Sequence, residues 1–122
     1  MNPNRLRALS PADGRYADKA DDLRDLLSEY GLIRFRVLVE VRWLQTLADS
    51  PDIPELRSLD AVQKRVLNEV VDGFSIDDAV RVKEIEATTN HDVKAVEYFL
   101  REKIGNGKDA GALGDFIHFA CT

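Results

Sequence analysis

Ile33-Arg34-Phe35-Arg36-Val37-Leu38-Val39-Glu40-Val41-Arg42-Trp43 decides the fold class, because it reads in two ways. Ile33, Phe35, Val37, Val39, Val41 and Trp43 alternate with Arg34, Arg36, Leu38, Glu40 and Arg42, which is the period of a strand. The same stretch carries a second stripe, Ile33, Val37, Val41 and Leu44, at helical spacing. Length arbitrates. The run from Leu32 to Ala48 has no turn signal over 17 residues, whereas strands usually hold 3–10. The stretch is therefore read as a helix, with Arg36 and Glu40 placed to pair at i,i+4.

On the amino-terminal side, Leu23, Leu26, Leu27 and Tyr30 give a helical pattern over Asp18–Tyr30, with Gly31 as its C-cap or a kink. Before it, Ser10-Pro11-Ala12-Asp13-Gly14 is a turn whose glycine is free to take positive φ. On the carboxyl side, Ser50-Pro51-Asp52-Ile53-Pro54 is a loop. Ser58 is expected to cap a helix over Leu59–Asp72, with Val62, Val66 and Val70 inward and Gly73 at its end. Ser75 to Asp78 is spaced as a capping box, opening a helix with Ile76, Ala79, Val80 and Ile85. Another helix begins near Thr88-Thr89-Asn90 and runs to about Ile104, burying Val93, Val96, Phe99 and Leu100. Gly105-Asn106-Gly107-Lys108 is too short to cradle a phosphate and lacks the spacing of a Walker loop. The apolar stretch Phe116-Ile117-His118-Phe119-Ala120-Cys121-Thr122 offers little to stop a helix or close a core. The expected class is all-α.

Composition narrows the function. The chain has 122 residues, 44% hydrophobic and 32% charged, with net charge −5. That length fits one domain and that balance a globular one. The acidity argues against a nucleic-acid binder. With one cysteine, Cys121, no internal disulfide can form, which favours a reducing compartment. No apolar region follows Arg5 and Arg7 as in a signal peptide, and no run approaches the ~20 apolar residues of a membrane span. A cytoplasmic protein is expected.

The densest polar cluster is Thr88-Thr89-Asn90-His91-Asp92. At a helix start, unpaired N–H groups and the dipole favour an anion, and His91 adds a titratable group. The alternative is plain capping by Thr89 or Asn90 beside a solvated histidine. Arg15 can fork onto a phosphate or carboxylate and Tyr16 can stack on a base, or both can be ordinary surface residues. His118 lies in an apolar segment and reads as a satisfied core residue. Glu97 and Arg101 read as a solvated i,i+4 pair, and Glu84 and Glu86 do not share a helix face. Two histidines and one cysteine, far apart, make no metal motif, and there is no Gly-x-Ser-x-Gly element.

Four phrases, taken in order, resemble the start of the bacterial adenylosuccinate lyases. They are Ser10 to Tyr16, Phe35-Arg36-Val37 through Trp43-Leu44, Thr88 to Tyr98, and Phe116 to Thr122. The resemblance covers nearly the whole chain, more loosely over 50–74 and 105–114. It implies the irregular helical amino-terminal domain of the aspartase/fumarase superfamily, stopping before the central long-helix bundle. Residues 1–112 would form that domain and 113–122 would begin the segment leading into the bundle. It implies a homotetramer without cofactor or metal that eliminates fumarate from adenylosuccinate, giving AMP, and cleaves a related succinyl-carboxamide intermediate of purine biosynthesis.

Carried over by position, Arg15 and Tyr16 resemble a pair contacting the nucleotide part of the substrate. Asn90, His91 and Asp92 resemble a second binding group. Thr122 resembles the first residue of a threonine-serine pair holding a carboxylate, and His118 a histidine close to that pocket. The catalytic acid and base would lie beyond Thr122, so the chain alone is expected to be inactive. Two alternatives remain: another lyase of the superfamily, such as an argininosuccinate lyase, or a non-catalytic helical interaction module.

Overall fold

The computed structural model of the protein describes residues 2–105 and 110–121. It has no strand among the described residues, and the chain divides into two compact units, Met1–Leu32 and Ile33–Thr122.

The first unit opens with α1, Pro3–Leu6, whose N-cap Asn2 accepts from the Asn4 amide at 2.9 Å. The turn at Ser10 closes with the Gly14 amide on the Ser10 carbonyl at 3.0 Å. Gly14 does not use positive φ, since Gly105 alone has it among the described glycines. Gly14 is needed for space: a Cβ there would stand 2.7 Å from the Arg5 carbonyl oxygen.

The helix expected over Asp18–Tyr30 is broken into 3₁₀ turns at Ala17–Lys19 and Asp21–Leu23 and one α-turn, α2, at Arg24–Leu27. Its leucines meet no core, because Leu23, Leu26 and Leu27 are all exposed. Ser28, at ψ 172°, ends α2. Its hydroxyl donates to the Arg24 carbonyl and accepts from the Gly31 amide, so it closes one helix and caps the next. Gly31 therefore lies inside the first turn of a helix and does not terminate one. A Cβ on it would come within 2.7 Å of the Leu26 carbonyl.

That next helix, α3, spans Glu29–Asp49. It settles the two-way reading. Ile33, Val37, Val41 and Leu44 are buried, whereas Phe35, Val39 and Trp43, which a strand would place on the inner face, are exposed. In the second unit α3 is followed by α4, Ala61–Asp72, α5, Ile76–Thr89, α6, Asp92–Ile104, and α7, Ala110–Asp115. The core is made where Val37, Val41 and Leu44 of α3, Leu67 of α4, Val82 of α5, and Val96, Phe99 and Leu100 of α6 are fully buried. Burying such side chains contributes about 1.5–3 kcal/mol each. Phe74 meets the Phe99 ring edge-on, centroids 5.9 Å apart, the favoured aromatic geometry.

Two details depart from the pattern reading. α4 is capped by Asp60 and not by Ser58: Asp60 and Gln63 exchange bonds at 2.8 and 3.0 Å. Three residues beyond Ser58 stands Ala61, which has no group to return such a bond. Val62 is 56% exposed, and Leu67 is the buried residue of the helix. The box of Ser75 and Asp78 forms as read.

The apolar tail is partly closed. Leu113 and Ile117 are buried, Phe116 is half-buried with its ring centroid 5.1 Å from that of Phe119, and of the two rings Phe119 is the exposed one. The glycine-rich stretch from Asn106 lies outside the described residues.

Candidate functional site

The cluster at Thr88–Asp92 is a junction of two helices. α5 runs through Thr88 and Thr89 and ends on Asn90, whose αL backbone (φ 52°) closes it with the Asn90 amide on the Glu86 carbonyl at 2.8 Å. Asparagine tolerates this conformation better than most residues. The N-cap of α6 is His91, and not Thr89 or Asn90. Its Nδ1 accepts from the Lys94 amide at 3.1 Å. Thr89 supports it from behind, its hydroxyl accepting from the His91 amide at 3.3 Å.

The capping bond assigns the ring. With Nδ1 used as an acceptor, the neutral imidazole carries its proton on Nε2 and offers a donor there. The side chain is 63% exposed, so that donor is open to a ligand. The 3.9 Å from His91 Nδ1 to Asp92 Oδ1 separates two acceptors and is no ion pair. Asp92 faces elsewhere. Oδ1 accepts from the Val93 amide at 2.9 Å and Oδ2 meets Arg36 at 2.9 Å. The Val93 N–H and, against some desolvation, the Arg36 guanidinium hold its carboxyl below the usual range.

Arg36 is thus not paired with Glu40. Each reaches a different element, one helical turn apart on α3. Glu40 Oε1 lies 2.5 Å from His118 Nδ1, and the Trp43 indole N–H donates to the Phe119 carbonyl at 2.7 Å. One face of α3 therefore holds two regions distant in sequence, the start of α6 and the tail at 117–121. Sequence reading missed this role of Arg36, Glu40 and Trp43. A signal was present: Glu40 stands beside Val37, Val41 and Leu44 on the buried stripe, and a carboxylate there needs a partner.

Glu40 is 6% exposed and its Oε2 has no hydrogen-bond partner among the described residues. Glu40, His118 and Cys121 bring ligand atoms within 4.8 Å of one another. The 2.5 Å between Glu40 and His118 is a hydrogen-bond length, whereas two nitrogen or oxygen ligands at ~2.0–2.1 Å from a tetrahedral ion stand roughly 3.3 Å apart. The arrangement is a carboxylate–histidine pair. Burial, with the Glu40 charge, pushes the Cys121 thiol up, which keeps it neutral.

In the first unit, Arg15 lies over the Tyr16 ring at 4.6 Å from its centroid, both residues exposed. Two other arginines of this unit are committed: Arg5 to Asp18 at 2.6 Å, and Arg24 to Asp13 at 2.7 Å and to Asp21 at 2.8 Å. Arg15 takes no carboxylate among the described residues and can meet an anion. Thr122 lies outside the described residues.

Two further charge clusters are paired within the fold. A broad depression between α5 and α6 is lined by Arg81, Glu84, Thr88, Tyr98 and Glu102, but Arg81 is already bound to Glu102 at 2.6 Å and Glu84 at 3.1 Å. Glu97, read as solvated, is buried, with Lys94 at 2.8 Å and Arg101 at 3.0 Å. Burial pushes its carboxyl up, but the two cations outweigh burial and hold it below the usual range.

Comparison with known proteins agrees over the length of the chain. Residues 14–122 match the family described as Lyase. The chain is 55% identical to the adenylosuccinate lyase of Haemophilus influenzae, 54% to that of Escherichia coli K12 and 49% to that of Vibrio cholerae. Each match covers 100% of this chain and 27% of the relative, so the chain spans about a quarter of the length of these curated relatives.

Proposed function

The chain belongs to the lyase family, and on that premise we propose that it is the amino-terminal part of an adenylosuccinate lyase supplying half of a substrate site. The observation that carries the reading is the end-to-end identity of 55% and 54% with proteins of that name.

The reaction is a β-elimination. A base takes a proton from the succinyl carbon, the C–N bond breaks with its electrons moving to nitrogen, and an acid protonates that nitrogen. AMP and fumarate leave. The same chemistry acts on the succinyl-carboxamide intermediate in purine biosynthesis. Acid and base come from chain beyond Thr122 and no cofactor is used. In the complete protein residues 113–122 lead into a central helical domain, four subunits assemble, and the enzyme works in the cytoplasm.

By position in the family, Arg15 and Tyr16 contact the nucleotide part of the substrate, Asn90, His91 and Asp92 form a second binding group in which His91 meets an anion, and Thr122 is the first residue of a threonine-serine pair holding a carboxylate, with His118 close to that pocket. The exposed Nε2 donor of His91 and the uncommitted charge of Arg15 support this assignment, since both suit a substrate with a phosphate and two carboxylates.

The test compares the isolated chain with the complete protein. Chromatography should show adenylosuccinate converted to AMP and fumarate by the complete protein and by no preparation of the chain alone. Turnover by the pure chain would remove the division of labour, and cleavage of argininosuccinate in place of adenylosuccinate would move the protein to the other lyase.

A further inference from the structure

Three observations converge on the end of the tail. Glu40 is buried on α3 with Oε1 at 2.5 Å from His118 Nδ1. His118 and Ala120 both hold left-handed backbone, φ 64° and 57°, a conformation that costs a non-glycine residue energy and persists where the surroundings impose it. The Trp43 indole pins the carbonyl between them at 2.7 Å. The tail is thus bent and tied so that one ring nitrogen of His118 meets one buried carboxylate.

We propose that Glu40 is a positioning residue that sets the tautomer of His118, holding the hydrogen of the neutral ring on Nδ1 so that Nε2 is the nitrogen left for a ligand. The inference rests on the lyase reading for its use in catalysis but not for its chemistry. An ionised carboxylate only accepts hydrogen bonds, so the nitrogen facing it must carry hydrogen. In the neutral ring this leaves the Nε2 lone pair as the one available to a ligand, the tautomer a serine-protease aspartate imposes on its histidine. Among the described residues, Cys121 lies beside the pair, neutral as argued, and Arg36 stands one turn away on α3, turned to Asp92.

The result is a complementary pair of histidines. His91, with Nδ1 consumed as a cap, presents an Nε2–H donor. His118, with Nδ1–H consumed by Glu40, presents an Nε2 acceptor. The first suits a phosphate or carboxylate oxygen, and the second suits an N–H or O–H group of the ligand.

Nitrogen-15 correlation spectra of the chain read both tautomers at once, with the two histidines as mutual controls. With both rings neutral, His118 should show protonated Nδ1 and bare Nε2, and His91 the reverse. Glu40→Gln, whose amide oxygen can still accept, should retain the His118 pattern, and Glu40→Leu should lose it. His118 with bare Nδ1 in the unaltered chain overturns the proposal, and that spectrum requires no variant to fold. In the complete enzyme, Glu40→Leu should lower kcat/KM at least tenfold more than Glu40→Gln, mainly through kcat. Equal losses in the two variants would overturn the positioning role. A complete protein that does not cleave adenylosuccinate refutes the lyase reading alone, because the tautomers are read without turnover.

Discussion

His91 joins two roles that one substitution can separate, capping α6 and facing ligand. His91→Ala removes the acceptor of the Lys94 amide, a bond of 3.1 Å. The side chain is 63% exposed, so only a modest burial is lost with it. The cost is that of one N-cap, usually 0.5–2 kcal/mol. It should fall in the lower half of that range, because residues deeper in α6, Ala95, Val96, Phe99 and Leu100, are 0% exposed and hold the helix by packing. About 0.5–1 kcal/mol is expected, or roughly 2–5 °C in Tm for a chain of this size. His91→Asn keeps an acceptor at the cap and discards the imidazole, so its urea midpoint should stay within about 0.3 kcal/mol of the unaltered chain. In the complete enzyme the ordering reverses its meaning: both variants should lose at least about tenfold in kcat/KM, since a bond to a charged group is worth roughly 1.5–3 kcal/mol. Urea unfolding of the chain and steady-state kinetics of the complete enzyme are the two assays. An asparagine variant as unstable as the alanine one refutes the cap. Normal kinetics in the asparagine variant refute the ligand contact and leave the cap standing.

Two further substitutions probe the packing and the charges. Gly14→Ala should destabilise by about 1–3 kcal/mol, because its Cβ would meet the Arg5 carbonyl at 2.7 Å; an unchanged or raised Tm, the ordinary result of such a change at an unstrained site, would show that the close approach is absent. Glu97→Gln should cost about 1–2 kcal/mol at pH 7, where the buried carboxylate is held charged by Lys94 and Arg101. Because its folded pKa is depressed, that contribution is present above the ordinary glutamate value near about 4.3 and is lost as pH falls through the lower folded one. The difference between the two proteins in denaturation midpoint should therefore shrink below about pH 4, and a pH-independent gap would contradict the pairing.

Where local chemistry has one best answer, the sequence was enough. The stripe of Ile33, Val37, Val41 and Leu44 made α3 a helix because seventeen residues without a breaker exceed any ordinary strand. Ser75 and Asp78 formed their box because both partners lie within three residues. The phrase Thr88–Tyr98 marked the family for the same reason: its information is contiguous. Tertiary structure decided what local spacing leaves open. Arg36 and Glu40 could satisfy one another along α3, but each found a closer partner from a distant segment, Asp92 and His118. Glu97 was buried because α6 turned that face inward, which its neighbours Lys94 and Arg101 do not reveal. The leucines at 23, 26 and 27 repeat at helical spacing, but no core met them, so the helix broke at Ser28. The proton on His118 was also decided by folding. A histidine in isolation can place it on either nitrogen, and only a carboxylate brought from 78 residues away, already buried and set against Nδ1, selects one.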